Sequence, residues 1–118
     1  MNENYAPGSL IGQLQDLSAS AQLAYSATLQ TEIQHICVCN TKTAAARFSI
    51  FHDDGGNRFS AGTALFFKEQ INGLSSVLIS ADDPGTGLTV AKGGSVGVEA
   101  DKTAAVTFSI YGTTQRAR

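Results

Sequence analysis

The chain has 118 residues, 15% of them charged, and a formal net charge of −2 at pH 7. That length gives one domain with room for a core, and the charge balance excludes a nucleic-acid binder, because no basic cluster supplies the footprint. Gly is abundant, Pro scarce and Trp absent, a composition suited to a rigid β domain whose surface relies on hydroxyls and amides.

The first nine residues lack the basic and apolar regions of a signal peptide, and no apolar run approaches membrane-spanning length. The expectation is a protein made and folded in a cytoplasm. Residues 1–19 differ from the rest: a polar start, the turn signal Ala6-Pro7-Gly8, then Leu10, Ile11, Leu14 and Leu17 among polar residues. Gly12 and the shortness of the segment argue against a stable helix. It reads as an extended arm packed on a neighbouring subunit, with those four side chains as anchors and residues 20–118 as the folded domain.

Strand signals then follow at a regular beat. Residues 21–26 form the first candidate. Residues 31–40 form a long one, with Ile33, His35, Cys37 and Cys39 on one face and Ile36 and Val38 on the other, as for a strand covered on both sides. Cys37 and Cys39 lie two apart on an extended strand, where bridge geometry is not available; they read as reduced, buried thiols. Next comes Lys42-Thr43-Ala44-Ala45-Ala46-Arg47-Phe48-Ser49-Ile50-Phe51, which returns sixty residues later as Lys102-Thr103-Ala104-Ala105-Val106-Thr107-Phe108-Ser109-Ile110-Tyr111. In each copy an alternation of apolar and other residues marks a half-buried strand. Because Ile36-x-Val38 answers Val96-x-Val98, the unit reads as strand, Lys-Thr turn, strand: a repeated hairpin, or an internal duplication whose halves face each other. The strong turn Asp53-Asp54-Gly55-Gly56-Asn57 separates the first copy from short strands at 58–59 and 64–67. Further strands are expected at 75–80, 88–90 and 95–100, before the second copy. Eight or nine short strands without a sustained helical period predict an all-β fold: a single antiparallel β-sandwich, jelly-roll or immunoglobulin-like.

Candidate chemistry is thin. His35, Cys37 and Cys39 share a strand face, but zinc needs a fourth converging ligand, and His52 is the sole other histidine. The acidic turns at 53–57 and 82–85 lack the alternating oxygens and closing Glu of an EF-hand calcium loop. No nucleophile elbow, triad or catalytic carboxylate pair is visible. No catalytic residue, metal or cofactor is therefore expected, and the chain does not read as an enzyme. The remaining signals are interfacial. Phe51 and Tyr111 sit on the polar-patterned side of their strands, and one of the adjacent pair Phe66 and Phe67 must face away from any single core.

Several short motifs add a resemblance. Gly12-Gln13, Leu23-Ala24-Tyr25-Ser26, the apolar strand closing on Cys39-Asn40, Phe48-Ser49-Ile50, Leu88, Gly94-Ser95-Val96 and Phe108-Ser109-Ile110-Tyr111-Gly112 follow a pattern spanning most of residues 12–112. With them the chain resembles the small all-β virion proteins of tailed bacteriophages: head-decoration, neck or tail-associated subunits. It departs from the family where Ser26-Ala27-Thr28 replaces a Val-Pro and where Gly94-Ser95 replaces a Gly-Asp. The resemblance implies a non-enzymatic capsid decoration or cement protein, made in the host cytoplasm and resident in the virion. It would bind the major capsid protein as a homo-oligomer, a trimer by expectation, without nucleic acid or membrane. A neck or tail adaptor is the alternative within that class. A carbohydrate- or host-surface-binding module, built on Tyr111, Phe51 and the 53–57 loop, is the alternative outside it.

Overall fold

Period-two patterning dominates because every element must bury one face and solvate the other. The computed structural model describes residues 9–15, 19–80 and 88–114. Among them are nine strands: β1 (Ser9–Gln15), β2 (Gln22–Ser26), β3 (Thr31–Asn40), β4 (Ala46–Asp53), β5 (Ala64–Ile71), β6 (Ser76–Ser80), β7 (Leu88–Val90), β8 (Ser95–Ala100) and β9 (Val106–Thr114). The one helical element among these residues is a turn of 3-10 helix at Ala61–Thr63.

The strands form two sheets of antiparallel pairs. One runs β1-β9-β3-β6, with β7 also on the edge of β3; the other runs β2-β8-β4-β5. The nested pairs β1/β9, β2/β8, β3/β6 and β4/β5 are those of a jelly roll, which settles the topology that patterning left open. Between the sheets lie Ile33, Ile36 and Val38 of β3, Phe48 and Ile50 of β4, Val96 and Val98 of β8, and Phe108 and Ile110 of β9.

The ten-residue repeat proves to be architectural. Its two copies supply β4 and β9, one in each sheet, and Phe48 meets Phe108 edge-on across the core at 6.2 Å between centroids. The unit is not a hairpin. β3 and β4 belong to different sheets, as do β8 and β9, so each copy is an arch that carries the chain across the core. The arches interlock: β3 of one pairs β9 of the other, and β8 pairs β4. A pseudo-twofold relation follows, in which β1, β9, β3 and β6 answer β5, β4, β8 and β2. The shared Lys-Thr turns are needed at corresponding corners of the two sheets.

Three other expectations change. A register shift between Ile33 and His35 turns Ile33 into the core while His35, Cys37 and Cys39 stay outside; strict alternation cannot anticipate such a bulge. The outer face of β3 is half-exposed rather than covered, and both cysteines, which are free, are half-buried there. Residues 58–59 are not a strand; they belong to the loop that folds back over the second sheet.

Residues Ser9–Gln15 are also not a detached arm in this chain. They pair along β9 as an edge strand, and Ile11 and Leu14 pack against the domain's own core. Gly12 makes that possible, since a Cβ there would lie 2.8 Å from the Ala24 carbonyl oxygen. Backbone therefore meets backbone where β1 passes β2, and this flank of the sandwich is closed.

Candidate interaction surface

The four side chains expected to anchor an arm divide. Ile11 and Leu14 face inward, Leu10 is exposed beside Tyr111 of β9, and Leu17 lies outside the described residues. The surface aromatics divide too. Phe51 does point away from the core, as its alternation implies, yet it is 1% exposed. The 54–59 segment folds back and lays Phe59 on it at 6.0 Å between ring centroids and 28° between planes. Asp53 holds that loop. Its carboxylate accepts hydrogen bonds from the backbone N–H of Gly55 and Arg58, both at 2.9 Å, and from the Arg58 guanidinium at 3.0 Å. The Arg58 side chain first, and those backbone donors after it, hold the Asp53 carboxyl well below the usual carboxylate range. The Ser95 hydroxyl donates to the Gly56 carbonyl and completes the clasp.

Tyr111 is exposed, but on the outer face of the other sheet, where the ladder places it beside His35. Phe51 and the 53–57 loop therefore lie on one face of the sandwich and Tyr111 on the opposite one, so the three do not form a common glycan site. On Tyr111's face, Cys37 neighbours Ser109 and Leu78, and Cys39 neighbours Thr107 and Ser76. His35 Nδ1 is buried without a partner among the described residues. No group of three or more His, Cys, Asp or Glu side chains among the described residues is arranged to hold a metal ion. No helix among them is long and apolar enough to cross a membrane.

The distinctive surface lies on the flank formed by β5 and β6. Of the nine exposed large apolar side chains among the described residues, five are Leu65, Phe67, Leu74, Val77 and Leu78, all on these strands and the turn between them. These five groups, each roughly half exposed, concentrate on one flank, Val77 on the inner side of β6 and Leu78 on its outer side; exposed apolar side chains gathered in this way mark an interaction site on a soluble domain. Phe66 points inward opposite Ile50. It lines a cleft of about 220 Å³ with Phe48, Val77, Ile79, Glu69 and Gln70, open between the two sheets. Under the pseudo-twofold relation this flank corresponds to the β1–β2 flank, which is closed.

Leu74 sharpens the point. It is 69% exposed and sits at φ +53°, a left-handed conformation that Gly or Asn would adopt more cheaply. Its backbone N–H donates to the Lys42 carbonyl at 2.8 Å, which locks the turn. An apolar side chain displayed to water from a strained position serves neither solubility nor the core. The alternation of β5 identified one exposed aromatic of the Phe66–Phe67 pair, which is Phe67. The rest of the flank became visible only once β5 and β6 were known to be edges of different sheets.

A second depression, of about 280 Å³, lies on the outer face of the four-stranded sheet and is lined by Ala19, Arg47, Ser49, Lys68, Glu99 and Asp101. Its two cations and two anions balance. Arg47 is also committed to structure, through its N–H to Asp101 at 2.9 Å and its guanidinium to the Lys68 carbonyl at 3.1 Å.

No protein-family model and no curated protein matches the chain. Among solved structures it is similar to a chain in the structure of infectious bursal disease virus Gx strain, at a TM-score of 0.46 and 10% identity, over 94% of this chain and 33% of that one. The present chain thus spans about a third of the length of that chain. The jelly-roll assignment itself rests on strand order.

Proposed function

We propose that the protein is a non-enzymatic structural subunit of a tailed-phage virion, a homo-oligomer that binds the head shell and reinforces it. The observation that carries this reading is the open, apolar β5–β6 flank on a domain otherwise sparing of charge. Such a surface does its work by being covered, and burial at about 25 cal/mol per Å² makes assembly its natural use. The motif resemblance over residues 12–112 supports the virion setting. Jelly rolls occur in capsids and in lectins alike, so the fold alone is neutral between them; with Phe51 covered by Phe59 and Tyr111 on the opposite sheet, the residues nominated for a glycan site do not converge. The test is co-sedimentation of purified protein with expanded capsids of its phage. Saturable binding that is lost on Phe67→Ser with Leu74→Ser supports the reading. Protein that stays in the supernatant at saturating capsid refutes it.

A further inference from the structure

Five strands form the outer edges of the two sheets; β7 is only three residues long, and three of the other four are guarded against pairing with another chain. The ladder of β1 slips between Leu10 and Gly12, that of β2 between Leu23 and Tyr25, and that of β5, which carries Lys68 and Glu69, slips twice. Bulges and charged residues are the devices that keep edges from extending. β6 has neither. Its register against β3 is unbroken from Ser76 to Ser80, it hydrogen-bonds one neighbour only, and residues 72–80 contain no charge and no proline.

The sequence of that edge also reads the same chemically in both directions: Ser76-Val77-Leu78-Ile79-Ser80. We propose that β6 is a self-pairing edge, to which a second copy of this chain adds its own β6, antiparallel, about a twofold axis at Leu78. A self-complementary contact between identical subunits requires a twofold, and for two strands that means antiparallel pairing. In this register Leu78 lies beside Leu78 of the second copy on the outer face. Val77 lies beside Ile79 of the second copy on the inner face, and Ser76 beside Ser80 of the second copy at each end. Every pair is like with like in polarity, and no like charges meet. Five paired residues run about 17 Å, and one strand edge of that length buries less than the roughly 800 Å² per partner of a stable pair. Leu74, exposed in the turn that leads into β6, is placed to add to that contact. The inference rests on the assembly reading above and names the partner that this flank takes. It gives the oligomer twofold symmetry, where the family resemblance implies threefold.

The test is the mass in solution by light scattering, measured without capsids, for the wild type and for Leu78→Lys. Leu78 is 64% exposed, so lysine there leaves the monomer's fold intact, as a thermal melt by circular dichroism verifies, while placing two like charges on the axis. Register is read separately in a Cys37→Ser, Cys39→Ser background, which removes the thiols next to β6. Ser76→Cys mixed with Ser80→Cys should cross-link under mild oxidation, and neither alone should. The expected result is a wild-type dimer, a monomeric Leu78→Lys protein and cross-links in the mixture only. A wild-type monomer or trimer, a Leu78→Lys protein of unchanged mass, or cross-links within one variant would overturn the pairing. Capsid co-sedimentation is scored independently: a monomer that binds capsids refutes the twofold and spares the virion reading, and a dimer indifferent to capsids does the reverse.

Discussion

Removing the ring of Phe59 should destabilise the domain well beyond what a partly exposed loop residue ordinarily contributes, because Phe59 is the cover over Phe51. An aromatic side chain buries about 150–250 Å². Re-exposing about a third of that for Phe51, at about 25 cal/mol per Å², costs about 1.5 kcal/mol, and losing the stacked pair adds about 1 kcal/mol. Phe59→Ala is therefore expected to cost about 2–3 kcal/mol, a fall in Tm of about 8–12 °C for a domain of this size. The decisive control is Gly97, which leaves the ring its space: a Cβ there would lie 2.5 Å from the Phe59 ring carbons. Gly97→Ala alone should displace the ring and cost about 1–2 kcal/mol. In the Phe59→Ala background the same change should be neutral, or stabilising by about 0.5 kcal/mol, since alanine suits a strand better than glycine. Urea denaturation of the four proteins gives the cycle. If the two changes add within about 0.5 kcal/mol, the ring does not rest on Gly97 and the account of how Phe51 is covered is wrong.

Other expectations follow from individual contacts. Asn40 is buried, and its amide donates to the carbonyls of Ala44 at 2.9 Å and Ile71 at 3.3 Å while its oxygen accepts from the Lys42 N–H at 3.0 Å. Asn40→Ala strips partners from three backbone groups and should cost about 2–4 kcal/mol by denaturant melt; a loss below about 0.5 kcal/mol would show that water replaces the amide. The Asp53 carboxyl titrates lower in the folded protein than when unfolded, so its contribution is complete above its ordinary value of 3.8 and is lost as pH falls below it. Asp53→Asn should flatten the decline of Tm between pH 5 and pH 2, and an unchanged slope would refute the clasp. Leu14→Ala should lower stability by about 1–3 kcal/mol; a silent substitution would return residues 9–15 to the role of an arm.

Period-two runs are a local property, and they led directly to the all-β class, to most strands and to the core residues of the repeat. What they could not carry was any feature decided by a partner distant in sequence. Ile33 faces inward because of a bulge set by pairing with β9. Phe51 keeps its outward direction and loses its exposure because a loop eight residues later returns over it. β1 looks like an arm because alternation at Leu10, Ile11 and Leu14 is disturbed by the slip opposite Tyr111. Cys37 and Cys39, apolar by type, are half-exposed because, among the described residues, no further layer covers the outer face of β3.

The repeat carries more information than a hairpin would. Once its copies are seen as interlocked arches, the sandwich has two flanks that ought to be alike: β1 against β2, and β5 against β6. The first is shut, with β1 packed on β2 at the spacing Gly12 permits. At the second, glycine is replaced by an opening lined with Phe48, Phe66, Val77 and Ile79, beside a strained, exposed leucine and an unguarded edge. A folding problem solved once at one flank was available to be solved the same way at the other. Leaving the second flank open sacrifices buried area among the described residues, a loss that the proposed pairing with a second copy would recover. On the proposed reading, the asymmetry between two otherwise equivalent flanks separates what the domain needs for its own stability from what it would present for assembly.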